Sequence, residues 1–229
     1  PSPKLGVPRF EFGLVAFHLV VRRRAVPDAA GPRRRLRGVT GRAAPTQQTA
    51  PVTRPRHVGD VAWTCPIGPD AADRPVALVD PSDPTAVLAA LSDLSRDHYG
   101  GAALRPVATL TPHKHWDHAA GNVPLREKFG RSLRVYGGEV DAVSGCTHPL
   151  RDGDEVRVGS LRVVALSAPG HTAGSTAFLV RGSPSALFGG DVLFCGGCGA
   201  PFEGCADDMV STFAKLWRSC PPETLLFPG

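Results

Sequence analysis

The chain reads as an α/β protein built from two packed sheets with helices on their outer faces. Three observations carry that expectation. Strand-type runs alternate with helical patterns from about Val61 onward, two alternating runs flank a two-residue glycine turn, and a run of histidines follows directly on a strand, where loops build sites.

The elements follow in order. Pro75 to Val79 is a short apolar run ending at Asp80, a strand signal. Ser82-Asp83-Pro84 then offers an N-cap and a proline at the first helical position, and Val87, Leu88, Leu91 and Leu94 form a helical stripe. Val107 to Leu110 predicts the next strand. Gly121 and Asn122 break the chain before a short helix near Pro124 to Phe129, and Leu133 to Tyr136 predicts another strand. Glu155 to Val158 and Leu161 to Leu166 flank Gly159-Ser160 as a hairpin. Strands are expected at Thr176 to Val180, at Ala186 to Phe188 and at Thr224 to Phe227. Between the last two, Asp207 to Trp217 predicts a helix with Met209, Val210, Phe213 and either Leu216 or Trp217 turned inward. No internal repeat is visible.

Composition divides the chain in two. Of 229 residues 42% are hydrophobic, enough for a full core in one domain. Residues 1–57 hold twelve Lys and Arg against two acids, which leaves fourteen against nineteen in the remainder. The basic pI of 9.1 therefore belongs to the first segment, and the mildly acidic remainder argues against a nucleic-acid footprint on the domain that carries the site. Residues 1–57 form an Arg/Pro-rich tail expected to be disordered, and residues 58–229 a single folded domain. The Arg-rich, acid-poor start resembles an organelle transit peptide. The apolar stretch Phe12 to Val21 is too short to span a bilayer, so no transmembrane segment is expected. Six cysteines without a secretory signal point to reduced thiols in a cytoplasmic or mitochondrial compartment. Cys195-Gly-Gly-Cys198 matches C-x-x-C, but its glycines favour a loop over a redox helix start or a zinc knuckle.

The chemistry concentrates in His113-Lys114-His115-Trp116-Asp117-His118, three of the eight histidines and a carboxylate in six residues. On an extended segment His113 and His115 point the same way and can approach one cation. If the chain turns after His115, Asp117 and His118 face the same cavity and can hold a second. Imidazole and carboxylate suit zinc, and also iron or manganese. Pro169-Gly170-His171 and Gly189-Gly190-Asp191 each place a ligand type after small residues at a strand end. His18, His57 and His98 have no such company, and Ser175 and the cysteines lack a neighbouring base to make them nucleophiles.

The order His113-x-His115-x-Asp117-His118, then Pro169-Gly170-His171, then Gly190-Asp191 resembles the metallo-β-lactamase superfamily. Val135-Tyr-Gly-Gly138 and Gly196 to Gly204 (Gly-Gly-Cys-Gly-Ala-Pro-Phe-Glu-Gly) are similar to loops of glyoxalase II, the hydroxyacylglutathione hydrolases. Val79 to Pro84, Lys114 and Trp116 within the histidine motif, and Thr147-His-Pro149 resemble one branch of that family. The resemblance covers about residues 58–229 and implies the metallo-β-lactamase αββα sandwich. It assigns His113, His115 and His171 to one metal, Asp117 and His118 to a second, and Asp191 as a bridge, which a carboxylate with two oxygens can provide. It implies two divalent ions, zinc first, and attack of a metal-bridging hydroxide on a thioester of the acylglutathione type. Asp117 and Asp191 are then the catalytic carboxylates, and Tyr136, Gly199 and Phe202 line the substrate side. A mononuclear iron persulfide dioxygenase and a metal-binding scaffold of weak or no activity are the competing readings within the same fold.

Two departures from the family pattern carry expectations. Ala200 and Pro201 stand where a basic residue and an aromatic are usual, which implies a weaker grip on a glutathione carboxylate. The chain stops at Phe227-Pro-Gly229, where the family continues with a further histidine ligand and a helical segment. The reading is therefore a C-terminally truncated domain, with the first metal bound firmly and the second weakly.

Overall fold

The structure is a computed structural model that describes residues 74–229 continuously, and the backbone of three strands before them. Those are β1 (Arg9–Phe12), β2 (Val15–Val21) and β3 (Val61–Thr64), which form an antiparallel sheet in that order. Two of them, residues 9–12 and 15–21, fall inside the segment 1–57. The Arg runs at 22–24 and 33–35, the transit-peptide reading, His57 and Cys65 lie outside the described residues.

Two sheets make the body. The first is parallel, in the order β4 (Arg74–Val79), β5 (Leu104–Leu110), β6 (Arg134–Gly138), β7 (His148–Leu150). The second contains β8 (Glu155–Val158), β9 (Leu161–Ser167), β10 (Thr176–Arg181), β11 (Ala186–Gly190) and β12 (Leu225–Pro228). It runs β12-β11-β10-β9-β8, antiparallel except for the β11–β12 pair. The hairpin at Gly159-Ser160 forms with Val158 opposite Leu161.

Period-two alternation shows how the layers stack. In β4, Ala77 and Val79 face the core between the sheets, while Val76 and Leu78 face outward onto Val87 and Leu91 of α1 (Pro84–His98) and Leu125 of α3 (Asn122–Phe129). In β10, Phe178 and Val180 enter the same central core, while Ala177 and Leu179 pack outward near Leu216 of α4 (Ala206–Ser219). Helix, sheet, sheet and helix are thus held by three apolar layers, the sandwich the sequence predicts.

Local signals explain the helix ends. Asp83 caps α1 by accepting from the amides of Thr85 and Ala86, ahead of Pro84 at the first turn. The inward face of α4 differs from expectation. Met209, Thr212 and Leu216 are buried, whereas Val210 is 66% and Trp217 86% exposed. The i, i+3, i+7 spacing runs through Thr212, whose hydroxyl donates to the Pro169 carbonyl, so a polar residue holds the core position that an apolar count gave to its neighbours. β5 also starts three residues before the expected Val107, with Pro106 inside it, and β7 gave no strand signal of its own.

Candidate metal centre

The loops that leave β4, β5, β9 and β11 at their C-terminal ends meet in one place. After β5 the chain bends at His113 and Lys114, then enters the short α2 (Trp116–Ala119). The bend still leaves His113 and His115 side by side, and the helical turn brings His118 against His113. His113 Nε2 lies 3.0 Å from His115 Nδ1. His171 Nε2, arriving from the loop after β9, lies 3.0 Å from the same His115 nitrogen. The ligand atoms of the three are all within 4.8 Å of one another.

Such convergence fits a cation. Three imidazole nitrogens facing one another can share only a single proton per contact, whereas an ion at their common point satisfies every lone pair. His171 is fixed for this: its Nδ1–H donates to the Ala200 carbonyl at 2.8 Å, which a carbonyl can only accept, so Nε2 is left with its lone pair. Burial, helped by the charge of His118, pushes the His113 pKa down to about 2, so that ring is neutral and free to ligate.

A second group, His113, His118 and Asp191, meets the same distance criterion. His118 Nδ1 sits 2.6 Å from one oxygen of Asp80 and 2.7 Å from the other, and its Nε2 is 3.2 Å from Asp191. The second oxygen of Asp191 is 3.6 Å from His171 Nε2. That carboxylate therefore reaches a histidine of each group, as a bridge must. Asp117 stands farther out, 56% exposed with an oxygen 4.0 Å from His118 Nε2, and the tighter cluster takes His113 in its place.

Charge is held tightly here. Burial opposes a charge on His118, but hydrogen bonds to Asp191 and Asp80 outweigh it and raise its pKa to about 10. Burial raises the Asp80 carboxyl, with His118 pulling against it. At Asp191 burial is outweighed by the hydrogen bond and charge of His118, and its pKa falls below the usual carboxylate value. Without an ion, His118 stays protonated on both nitrogens, Nδ1–H donating to Asp80 and Nε2–H to Asp191.

The substrate-side expectations divide. Phe202 is 69% exposed, with its ring 5.2 Å from His171 and 5.9 Å from His115, so it overhangs the centre. Gly199 lies against the ligands themselves: its amide donates to the Asp191 carbonyl at 2.7 Å, and a Cβ there would stand 2.7 Å from His171 Nδ1. Tyr136 is 6% exposed. It is buried in the core between the sheets, its ring against His148, because residue 136 falls on the inward phase of β6.

Three residues escaped the sequence reading. Asp80 ends β4 in a left-handed conformation, φ 57°, that turns its carboxylate toward His118. Glu203 pairs with Lys114 at 2.6 Å and accepts the Ala173 amide at 3.0 Å, joining three loops. Asp141 is buried beside the same loops. A strand-end Asp before proline was the available signal for Asp80; nothing local marked the other two. Cys195 and Cys198 are exposed on a turn closed by Phe194 N–H to Gly197 O, and neither metal-capable group among the described residues contains a cysteine.

Comparison with known proteins agrees with this geometry. No protein-family model matches the chain. A cytoplasmic hydroxyacylglutathione hydrolase of Arabidopsis thaliana is 36% identical over 164 residues, covering 70% of this chain, and the chain spans 60% of that relative's length. The crystal structure of ETHE1 from Myxococcus xanthus superposes with a TM-score of 0.55 and 32% identity, over 73% of this chain and 70% of that one. Another protein, solved in a di-iron-bound form, gives a TM-score of 0.51 and 28% identity over 67% and 81%. Fold, ligand order and these relatives together place the chain in the metallo-β-lactamase superfamily, as a member of its glyoxalase II family.

Proposed function

We propose that this protein is a metal-dependent hydrolase of small thioesters, of the acylglutathione class, with two divalent ions at the loop ends. The observation that carries this reading is the meeting of His113, His115 and His171 on one side of Asp191, with His118 on the other. His113, His115 and His171 would hold one ion; His118, Asp117 and Asp191 would hold the other, with Asp191 shared. Zinc suits this donor set, and the di-iron relative supports iron as a second choice. When bound, such ions lower the pKa of water and polarise a carbonyl.

The chain's own groups do the rest. Asp80 holds His118 by its Nδ1 and keeps Nε2 aimed at Asp191. The Ala200 carbonyl does the same for His171. Phe202 presents an exposed aromatic face beside the histidines, against which the apolar part of a thioester can pack and displace water. Lys114 is engaged by Glu203, so the cation nearest the histidines is already neutralised. Recognition then rests more on the acyl and thioester portion than on a carboxylate of the thiol.

The test is hydrolysis of S-lactoylglutathione by the metal-replete, full-length natural protein beside Asp191→Ala. We expect turnover that is lost on chelation, and a drop of more than about 100-fold in the variant, beyond the range for groups that only orient ligands. Turnover indifferent to both would refute the reading. Full metal loading with no turnover on any thioester would favour a scaffold role instead.

A further inference from the structure

Asp141 follows β6 on a tight turn and is 1% exposed. Each of its oxygens accepts a main-chain N–H from a different ligand loop. Oδ2 takes the amide of Lys114, the residue between His113 and His115, at 2.5 Å. Oδ1 takes the amide of Gly174, three residues past His171, at 3.2 Å. Beside it the Thr176 amide donates to the Pro112 carbonyl at 2.8 Å, a second tie between the same two loops.

Close backbone packing leaves this junction no slack. A Cβ on Gly174 would lie 2.4 Å from the Asp141 nitrogen, and one on Gly138 would lie 2.2 Å from the Gly174 carbonyl oxygen. Glycine at both positions lets three backbones touch, and the carboxylate of Asp141 then bridges two of them. A buried carboxylate needs donors for both oxygens, and charge-assisted bonds to two amides are roughly twice as strong as neutral ones.

We propose that Asp141 is a positioning residue for the first metal, a clamp that sets the spacing between the His113–His115 segment and His171. The proposal rests on the metal-binding half of the function above and is independent of the reaction catalysed. Without an ion the three imidazoles share at most one proton per contact, a weak hold on loops that come from different parts of the chain. Asp141 supplies that hold before the ion arrives. It touches no ligand side chain; it acts through the two main chains that carry them.

Asparagine at this position keeps the size but only one oxygen, and its NH₂ faces an N–H donor, so one of the two ties is broken. We expect folded Asp141→Asn to bind cobalt at the three-histidine position about 10- to 100-fold more weakly than wild type, the range for outer groups that orient ligands, with altered visible absorption of the bound cobalt. Leu216→Ala, which loosens the far side of the sandwich, should leave cobalt affinity and spectrum unchanged and so separates positioning from general loosening. A second measurement needs no variant: the Lys114 and Gly174 amides of metal-free wild type should be strongly protected from hydrogen exchange. Wild-type cobalt affinity and spectrum in Asp141→Asn, or fast exchange at both amides, would overturn the proposal. Wild type that takes up no cobalt would instead overturn the metal reading on which it stands.

Discussion

Asp80 and His118 lie 38 residues apart in sequence and meet at 2.6 Å. One ends β4 and the other sits in α2 beyond the neighbouring strand β5, so the parallel pairing of β4 and β5 is what brings them together. The contact fixes which nitrogen of His118 is free. Asp80→Ala removes that control and leaves a buried ring to rotate. We expect metal at the His118 position to weaken by about 10- to 100-fold while the three-histidine position keeps its affinity. A two-phase metal titration distinguishes these, and equal loss at both positions would contradict it.

Stability of the metal-free protein should peak near pH 6.5. The His118 pKa is raised to about 10, so its contribution is full below the unfolded value of about 6.5 and is lost as pH rises through 10. His113 has the opposite sign. Its pKa is lowered to about 2, so its contribution is full above about 6.5 and is lost as pH falls toward 2. Denaturant melts of chelated protein between about pH 4 and about pH 10.5 should fall on both sides. Bound metal keeps His118 deprotonated, so the decline on the alkaline side should vanish when metal is restored. A flat alkaline limb without metal would rule this out.

The facing of α4 can be checked by substitution. Leu216 is buried among Leu179 and Leu187, and Leu216→Ala should cost about 2–5 kcal/mol. Trp217→Ser and Val210→Ser, on the exposed side, should change stability by no more than about 0.5 kcal/mol. Thermal or urea unfolding reads both. A large loss at Val210 or Trp217 would contradict this facing of the helix.

Gly199→Ala forces a Cβ to within 2.4 Å of the Asp191 carbonyl oxygen and 2.7 Å of His171 Nδ1. Neither neighbour can yield without moving a ligand. Metal affinity should therefore drop by about 10-fold or more, read by metal content after dialysis against a weak chelator. Full retention would show that the 196–204 loop is free to move away from the centre.

The candidate ligands were legible to different degrees. His113 and His115 stand two apart after a strand, a strong local signal, while His171 and Asp191 follow glycine at strand ends, a weak one that gained weight only from the order shared with the family. Asp80, Asp141 and Glu203 were illegible for a shared reason: each acts across the sandwich on a loop distant in sequence, and a lone acid in a turn looks like any other. The strands were read well where apolar alternation was strong, as in β9 and β10. β7, only three residues with proline at its centre, is made a strand by its partner β6. Val210, placed inward by its apolar character, lies outside because the phase of α4 gives the core position to Thr212.

His171 is oriented by the carbonyl of Ala200, a group that every amino acid carries. The side chain at position 200 is exposed and takes no part in that contact. Mutation can therefore explore residue 200 at little cost to the ligand beside it. Within one loop, the exposed side chain can vary while the backbone that orients His171 stays the same.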